Sequence, residues 1–79
     1  MEIKVLGTGC AKCKTLEKNT RDAVAELGID ANVTKVEDIM EIMGYGVSRT
    51  PAIMIGNKVV VAGKSPSTEE LKTLLTQNQ

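Results

Sequence analysis

The chain has 79 residues, with ten basic and ten acidic side chains and no histidine, so it carries no formal net charge. That balance leaves no electrostatic footprint for nucleic acid or an anionic membrane. One tyrosine without Phe or Trp offers no stacking platform for single strands, and the missing histidine excludes Cys-His hydrolase or transferase chemistry.

A length of 79 residues points to a single domain over residues 1–79 with a modest core. In chain order, residues 2–6 alternate with Ile3 and Val5 on one face and read as a strand that runs through Leu6 and Gly7 into a loop. From about Ala11 to Leu27 the positions Cys13, Leu16, Ala23, Val24 and Leu27 recur at helical spacing, and Gly28 suits the helix C-terminus. Residues 31–36 read as a second strand. Glu37 to Met43 reads as a short helix with Ile39, Met40 and Met43 on its apolar side, ended by Gly44-Tyr45-Gly46.

A turn through Arg49-Thr50-Pro51 feeds a third strand, Ala52 to Ile55. Gly56-Asn57 is a two-residue hairpin signal, and Lys58 to Ala62 is the returning strand. Ser67-Thr68-Glu69-Glu70 fits a capping box opening a last helix with Leu71, Leu74 and Leu75 on its apolar face, and residues 76–79 read as a frayed tail. The order is therefore β-α-β-α-β-β-α: an α/β domain with a mixed four-stranded sheet flanked by three helices, its first two strands parallel through a right-handed crossover.

No segment approaches the roughly 20 apolar residues that a membrane-spanning helix needs. The chain opens Met1-Glu2-Ile3-Lys4-Val5 on a strand pattern rather than a signal peptide, which leads to the expectation of a cytoplasmic protein.

The two cysteines, Cys10 and Cys13, lie three apart where the first strand gives way to the first helix. A thiol at a helix N-terminus feels the positive end of the macrodipole, which favours the thiolate, the form that attacks disulfides and binds soft metals. Helical phasing puts Cys13 on the buried stripe and Cys10 at the exposed start, the asymmetry that an attacking and a resolving thiol require. As a structural staple the pair would close a four-residue loop worth only about 2 kcal/mol of chain entropy.

This element order, with Cys-x-x-Cys opening the first helix and Thr50-Pro51 just before the third strand, resembles the thioredoxin fold. It is most similar to the small prokaryotic thioredoxin-like proteins called redox-active disulfide proteins. The likeness rests on Val5-Leu6-Gly7-Thr8-Gly9-Cys10-Ala11-Lys12-Cys13 and on Tyr45-Gly46-Val47 followed by Thr50-Pro51-Ala52. The resemblance implies that Cys10 is the nucleophile, Cys13 the resolving thiol and Pro51 a cis proline beside the disulfide, with Thr50, Pro51, Gly9 and Ala11 meeting the substrate. It also implies a thiol-disulfide oxidoreductase working as a monomer. Such a protein reduces protein disulfides through a mixed disulfide, is recharged by a flavoprotein of the thioredoxin reductase kind, and needs no cofactor beyond the Cys10–Cys13 pair.

Several departures stand out. Ala11-Lys12 replaces the usual Gly-Pro between the cysteines, Gly9 replaces the preceding tryptophan, and no acidic residue within the strands is placed as a buried proton relay. Lys64-Ser65-Pro66 after Gly63 lacks the glutathione-binding pattern of glutaredoxins. Lys12 and Lys14 flank the cysteines and read first as a solvated helix start; the alternative is that they tune the thiol by adding positive potential, against Glu17.

Two other readings compete. Two thiolates suit a copper or zinc carrier, but a structural zinc site wants four ligands and the element order differs from that of metallochaperones. The spacing of Met40, Met43 and Met54 reads as core filling rather than ligation, so no metal site is expected. A non-catalytic thioredoxin-like interaction module is the third reading, with Gly7-Thr8-Gly9, Val47 and Thr50 as a docking patch. Arg49 and Tyr45, on the loop before Pro51, read as a loop arginine and a tyrosine at the core edge.

Overall fold

The computed structural model describes residues 1–78 and contains β1 (Glu2–Leu6), α1 (Ala11–Leu27), β2 (Asn32–Val36), α2 (Ile39–Gly44), β3 (Ala52–Ile55), β4 (Lys58–Ala62) and α3 (Thr68–Gln77). The strands form one sheet in the order β2-β1-β3-β4. β1 runs parallel to β2, with the long α1 as the crossover, and antiparallel to β3, which turns back into β4. The result is the α/β, thioredoxin-like arrangement expected from the element order.

Alternation along β1 divides the interior in two. Ile3 and Val5 face α1 and α3, where they pack with Leu16, Ala23, Ile53, Val61, Leu71 and Leu75. Leu6 faces the other way and meets Val36, Ile42, Val47, Ala52 and Met54 beneath α2. Thr20, buried in α1, spends its hydroxyl on the Leu16 carbonyl at 2.7 Å, so its burial leaves no unmet polar group.

Helix ends follow local chemistry. Gly28 takes a left-handed conformation (φ 63°) and its N–H reaches the carbonyls of Val24 and Ala25, ending α1. Ser67 and Glu70 complete the reciprocal capping box on α3. Asp38 caps α2 by accepting from the Met40 N–H at 2.9 Å, so this helix starts at Ile39 rather than at Glu37.

Two sequence expectations are corrected. Ile39, Met40 and Met43 do share a face of α2, but it is the outward one: Met40 is 73% and Met43 62% exposed, while Ile42 is the inward anchor. A helix of six residues has room for one such anchor, and its phase is fixed by tertiary contact rather than by composition. Met54 alone of the three methionines named above is a core residue. The tail is also more ordered than its composition suggests. α3 continues to Gln77, and Asn78 donates to the Leu74 carbonyl at 2.8 Å; Gln79 lies outside the described residues.

A register shift between Ile53 and Met54 passes over Val60 in β4. Such an irregularity is a known device on edge strands, where it interrupts a flat pairing surface.

Candidate functional site

The site is built at one end of the sheet. Val36, Leu6, Ala52 and Ala62 form the last rung across β2, β1, β3 and β4. The residues just beyond that rung are therefore neighbours although they are far apart in sequence: Glu37 after β2, Gly7 after β1, Pro51 before β3 and Gly63 after β4. Two backbone hydrogen bonds extend the ladder there. Gly7 N–H donates to Val36 O and Gly63 N–H to Pro51 O, each at 2.9 Å.

From Gly7 the chain turns through Thr8 and Gly9, whose φ of 90° needs a residue without a β-carbon, and enters α1 at Cys10. Cys10 is itself the helix N-cap. Its Sγ accepts from the Cys13 N–H at 3.2 Å, so the sulfur sits among the first unpaired amides of a 17-residue helix. Cys10 is exposed, whereas Cys13, one turn on, is buried at 4% exposure. The two sulfurs are joined as a disulfide across a Cα–Cα distance of 5.1 Å. Sequence phasing had suggested the exposure difference; the capping role of the Cys10 sulfur was not anticipated.

Gly7 forms the floor of the site. A β-carbon there would stand 2.9 Å from Cys13 Cβ and nearer still to its Sγ, so Cys13 can lie against the end of β1 only because position 7 has no side chain. The Thr50–Pro51 peptide is cis, and Pro51 is buried with half-buried Thr50 before it. Of the residues expected around the substrate, Gly9, Thr50 and Pro51 lie on the loops at this end of the sheet, and Ala11 is the first residue of α1. Lys12 and Lys14 are exposed on the first turn of α1. Glu17, set against them in the sequence reading, is engaged elsewhere: it pairs with Arg21 at 3.1 Å and with Lys35 at 3.7 Å.

Arg49 packs along Gly63, where a β-carbon would meet its side chain at 3.2 Å, so it borders the Pro51 side of the site. Tyr45 packs against the core under α2. Its hydroxyl accepts from Lys4 Nζ at 3.1 Å and donates to Glu41 at 3.0 Å. This hydrogen bond, together with Glu41 and Glu2 nearby, raises the Lys4 ammonium above the ordinary lysine range.

Sequence reasoning missed Glu37. Its Oε2 would be 3.2 Å from a β-carbon on Gly9, and Lys35 Nζ is 3.6 Å from the same oxygen. No local pattern signals this proximity, because it depends on which strand lies beside β1. Among the described residues no group of three or more His, Cys, Asp or Glu side chains converges as a metal cage would require. A surface groove between β4 and α3 is lined by Val60, Lys64, Pro66 and Leu74 among others, and includes neither cysteine.

The exposed capping sulfur and its buried partner open α1, and the cis-proline loop precedes β3. The family model described as a thioredoxin domain matches residues 1–76. The chain belongs to the thioredoxin family. Its similarity to a thioredoxin of Methanothermobacter thermautotrophicus is 41% identity over 76 residues, covering 96% of this chain and 99% of that protein. A thioredoxin of Methanocaldococcus jannaschii is 46% identical over 70 residues, covering 89% of this chain and 80% of that one. The protein is a thioredoxin-like disulfide oxidoreductase. Among the described residues no helix is long and apolar enough to cross a membrane.

Proposed function

We propose that the protein reduces protein disulfides, with Cys10 as the attacking thiolate and Cys13 as the resolving one. The observation that carries this reading is the unequal setting of two bonded sulfurs: one exposed at a helix N-cap, the other buried one turn later. In the reduced protein the Cys10 thiolate gains from the Cys13 N–H and from the dipole of α1. It attacks one sulfur of the target disulfide; that S–S bond breaks, the leaving sulfur departs as a thiolate, and a mixed disulfide forms on Cys10. Cys13, after giving its proton to the leaving thiolate or to water, then attacks Cys10 Sγ and releases the second target thiol. Two electrons pass to the target and the Cys10–Cys13 disulfide remains.

Thr50 and Pro51, with Gly9 and Ala11 opposite, would hold the extended substrate segment. Proline offers no N–H of its own, so pairing falls to the backbone of Thr50. Lys12 and Lys14 would add positive potential. The protein would need no cofactor beyond its disulfide, act as a monomer in the cytoplasm, where thiols are kept reduced, and be recharged by a flavoprotein of the thioredoxin reductase kind. A soft-metal carrier is the less favoured reading, since the described donors stop at two sulfurs.

The test is a pair of variants. Cys10→Ser should abolish reduction of insulin disulfides, and Cys13→Ser should retain attack and accumulate mixed disulfides detectable by mass. Full activity in Cys10→Ser would overturn the assignment. The direction of electron flow is tested by the equilibrium potential of the pair: a value near about −270 mV supports a reductant, and one above about −180 mV refutes it.

A further inference from the structure

Glu37 is set beside Gly9, the residue before the attacking cysteine, in a way that the exchange reaction itself does not require. The Gly7 N–H bond to Val36 O fixes the end of β2 against the cysteine loop, and the next residue is Glu37. Its Oε2 lies 3.2 Å from where a β-carbon on Gly9 would stand, and Gly9 immediately precedes Cys10. The positive φ of Gly9 keeps that space clear of any side chain of its own. A carboxylate therefore lies beside Gly9, the residue that precedes the exposed sulfur.

That carboxylate is only partly compensated. Lys35 stands 3.6 Å from Glu37 but also 3.7 Å from Glu17, so one ammonium is shared between two acids. Glu17 has a closer second partner in Arg21 at 3.1 Å, whereas Lys35 is the cation that reaches Glu37 among the described residues. Glu37 is 55% exposed, so its field extends into the solvent that a docking partner must cross. Positive charge lies elsewhere on the rim, at Lys12 and Lys14 on α1 and at Arg49 along Gly63.

We propose that Glu37 is a specificity-determining residue, whose carboxylate beside Gly9 favours disulfides flanked by cationic groups and disfavours those flanked by anionic ones. The inference rests on the reading that Cys10 makes the attack. It adds no chemical step; the same bonds break and form, and Glu37 changes only which partner is brought to the sulfur.

The experiment compares second-order rate constants of the reduced protein with two small disulfides: cystamine, which is cationic, and 5,5′-dithiobis(2-nitrobenzoate), which is anionic. Taking the ratio of the two rates cancels any general change in Cys10 nucleophilicity. For unit charges about 7 Å apart in a water-like dielectric, Glu37→Gln should lower the cystamine preference roughly threefold to sevenfold at low ionic strength. Lys35→Gln, which unmasks the carboxylate, should move the ratio the other way. Both shifts should collapse near 1 M salt, where the screening length is about 3 Å.

An unchanged ratio in Glu37→Gln, equal slowing with both probes, or a shift that survives high salt would overturn the proposal while leaving the oxidoreductase reading intact. A wild-type protein that reduced neither probe would overturn both. Should one variant fold poorly, the opposite sign expected of the other still decides the matter.

Discussion

Replacing Gly7 with alanine is the sharpest perturbation of this site that leaves both sulfurs in place. The new methyl carbon would stand 2.9 Å from Cys13 Cβ and closer to Sγ, where ordinary carbon contacts are about 3.5–4.0 Å. The backbone cannot easily retreat, because Gly7 N–H is bonded to Val36 O at 2.9 Å and Leu6 is paired on both sides. Cys13 must move instead, and it is buried.

Overpacking of this kind costs about 1–3 kcal/mol. In a domain of this size each kcal/mol lowers the melting temperature by about 4–8 °C. The strain is unequal between redox states: the disulfide ring fixes the Cys13 sulfur, whereas a free thiol can rotate away. If all of the strain falls on the oxidised form, the reduction potential rises by about 20–60 mV. Thermal melts of the oxidised and reduced variant, with equilibration against dithiothreitol buffers, read both effects. Equal melting losses in the two states with an unchanged potential would refute the reasoning, since the methyl would then act on the fold and not on the disulfide.

Other outcomes follow from the same contacts. Ser67→Ala removes the side-chain cap of α3 and should cost about 1 kcal/mol, read as a lower urea midpoint with unchanged slope. The double variant Met40→Gln, Met43→Gln should lie within about 0.5 kcal/mol of wild type per site, because both side chains already face solvent; a large loss would place α2 the other way round. Lys72 is held above the ordinary lysine value of 10.5 by hydrogen bonds to Glu26, first, and Glu69. Because the folded value is the higher one, its stabilisation is complete below 10.5 and fades as pH rises through the folded value. Lys72→Met should therefore flatten the alkaline loss of stability measured by urea titration, and an unaltered alkaline slope would show that the bridge between α1 and α3 contributes nothing.

The local parts of this structure were readable from residues alone. Gly28 and the Ser67–Glu70 box marked helix ends, Gly56-Asn57 marked the hairpin, and helical phase separated exposed Cys10 from buried Cys13. What stayed hidden depends on long-range pairing. Placing Glu37 beside Gly9 requires knowing that β2 lies next to β1 with Val36 opposite Leu6. The orientation of α2 was lost for a related reason. Ile39, Met40, Ile42 and Met43 fit two phases in so short a helix, and only the pocket around Leu6, Ala52 and Met54 selects Ile42. The shift passing over Val60 left no sign in Val59-Val60-Val61, three identical residues that any register satisfies.

The rung formed by Val36, Leu6, Ala52 and Ala62 also explains how so small a domain can hold two sulfurs in unlike surroundings. α1 starts at the end of the central strand β1, so its N-cap Cys10 stands at the exposed tip of the helix while Cys13, one turn further along, is buried over the sheet. The glycine at position 7 then lets the inner sulfur approach the sheet, and the helix amides favour charge on the outer one. Favouring that charge raises the fraction of attacking thiolate at Cys10, while resolution of the mixed disulfide falls to Cys13, which attacks Cys10 Sγ with the target sulfur as leaving group. The charged groups around the rim, Glu37 with its partner Lys35 on one flank and Arg49 on the other, can therefore vary partner choice without disturbing the sulfur chemistry, because they sit outside both cores.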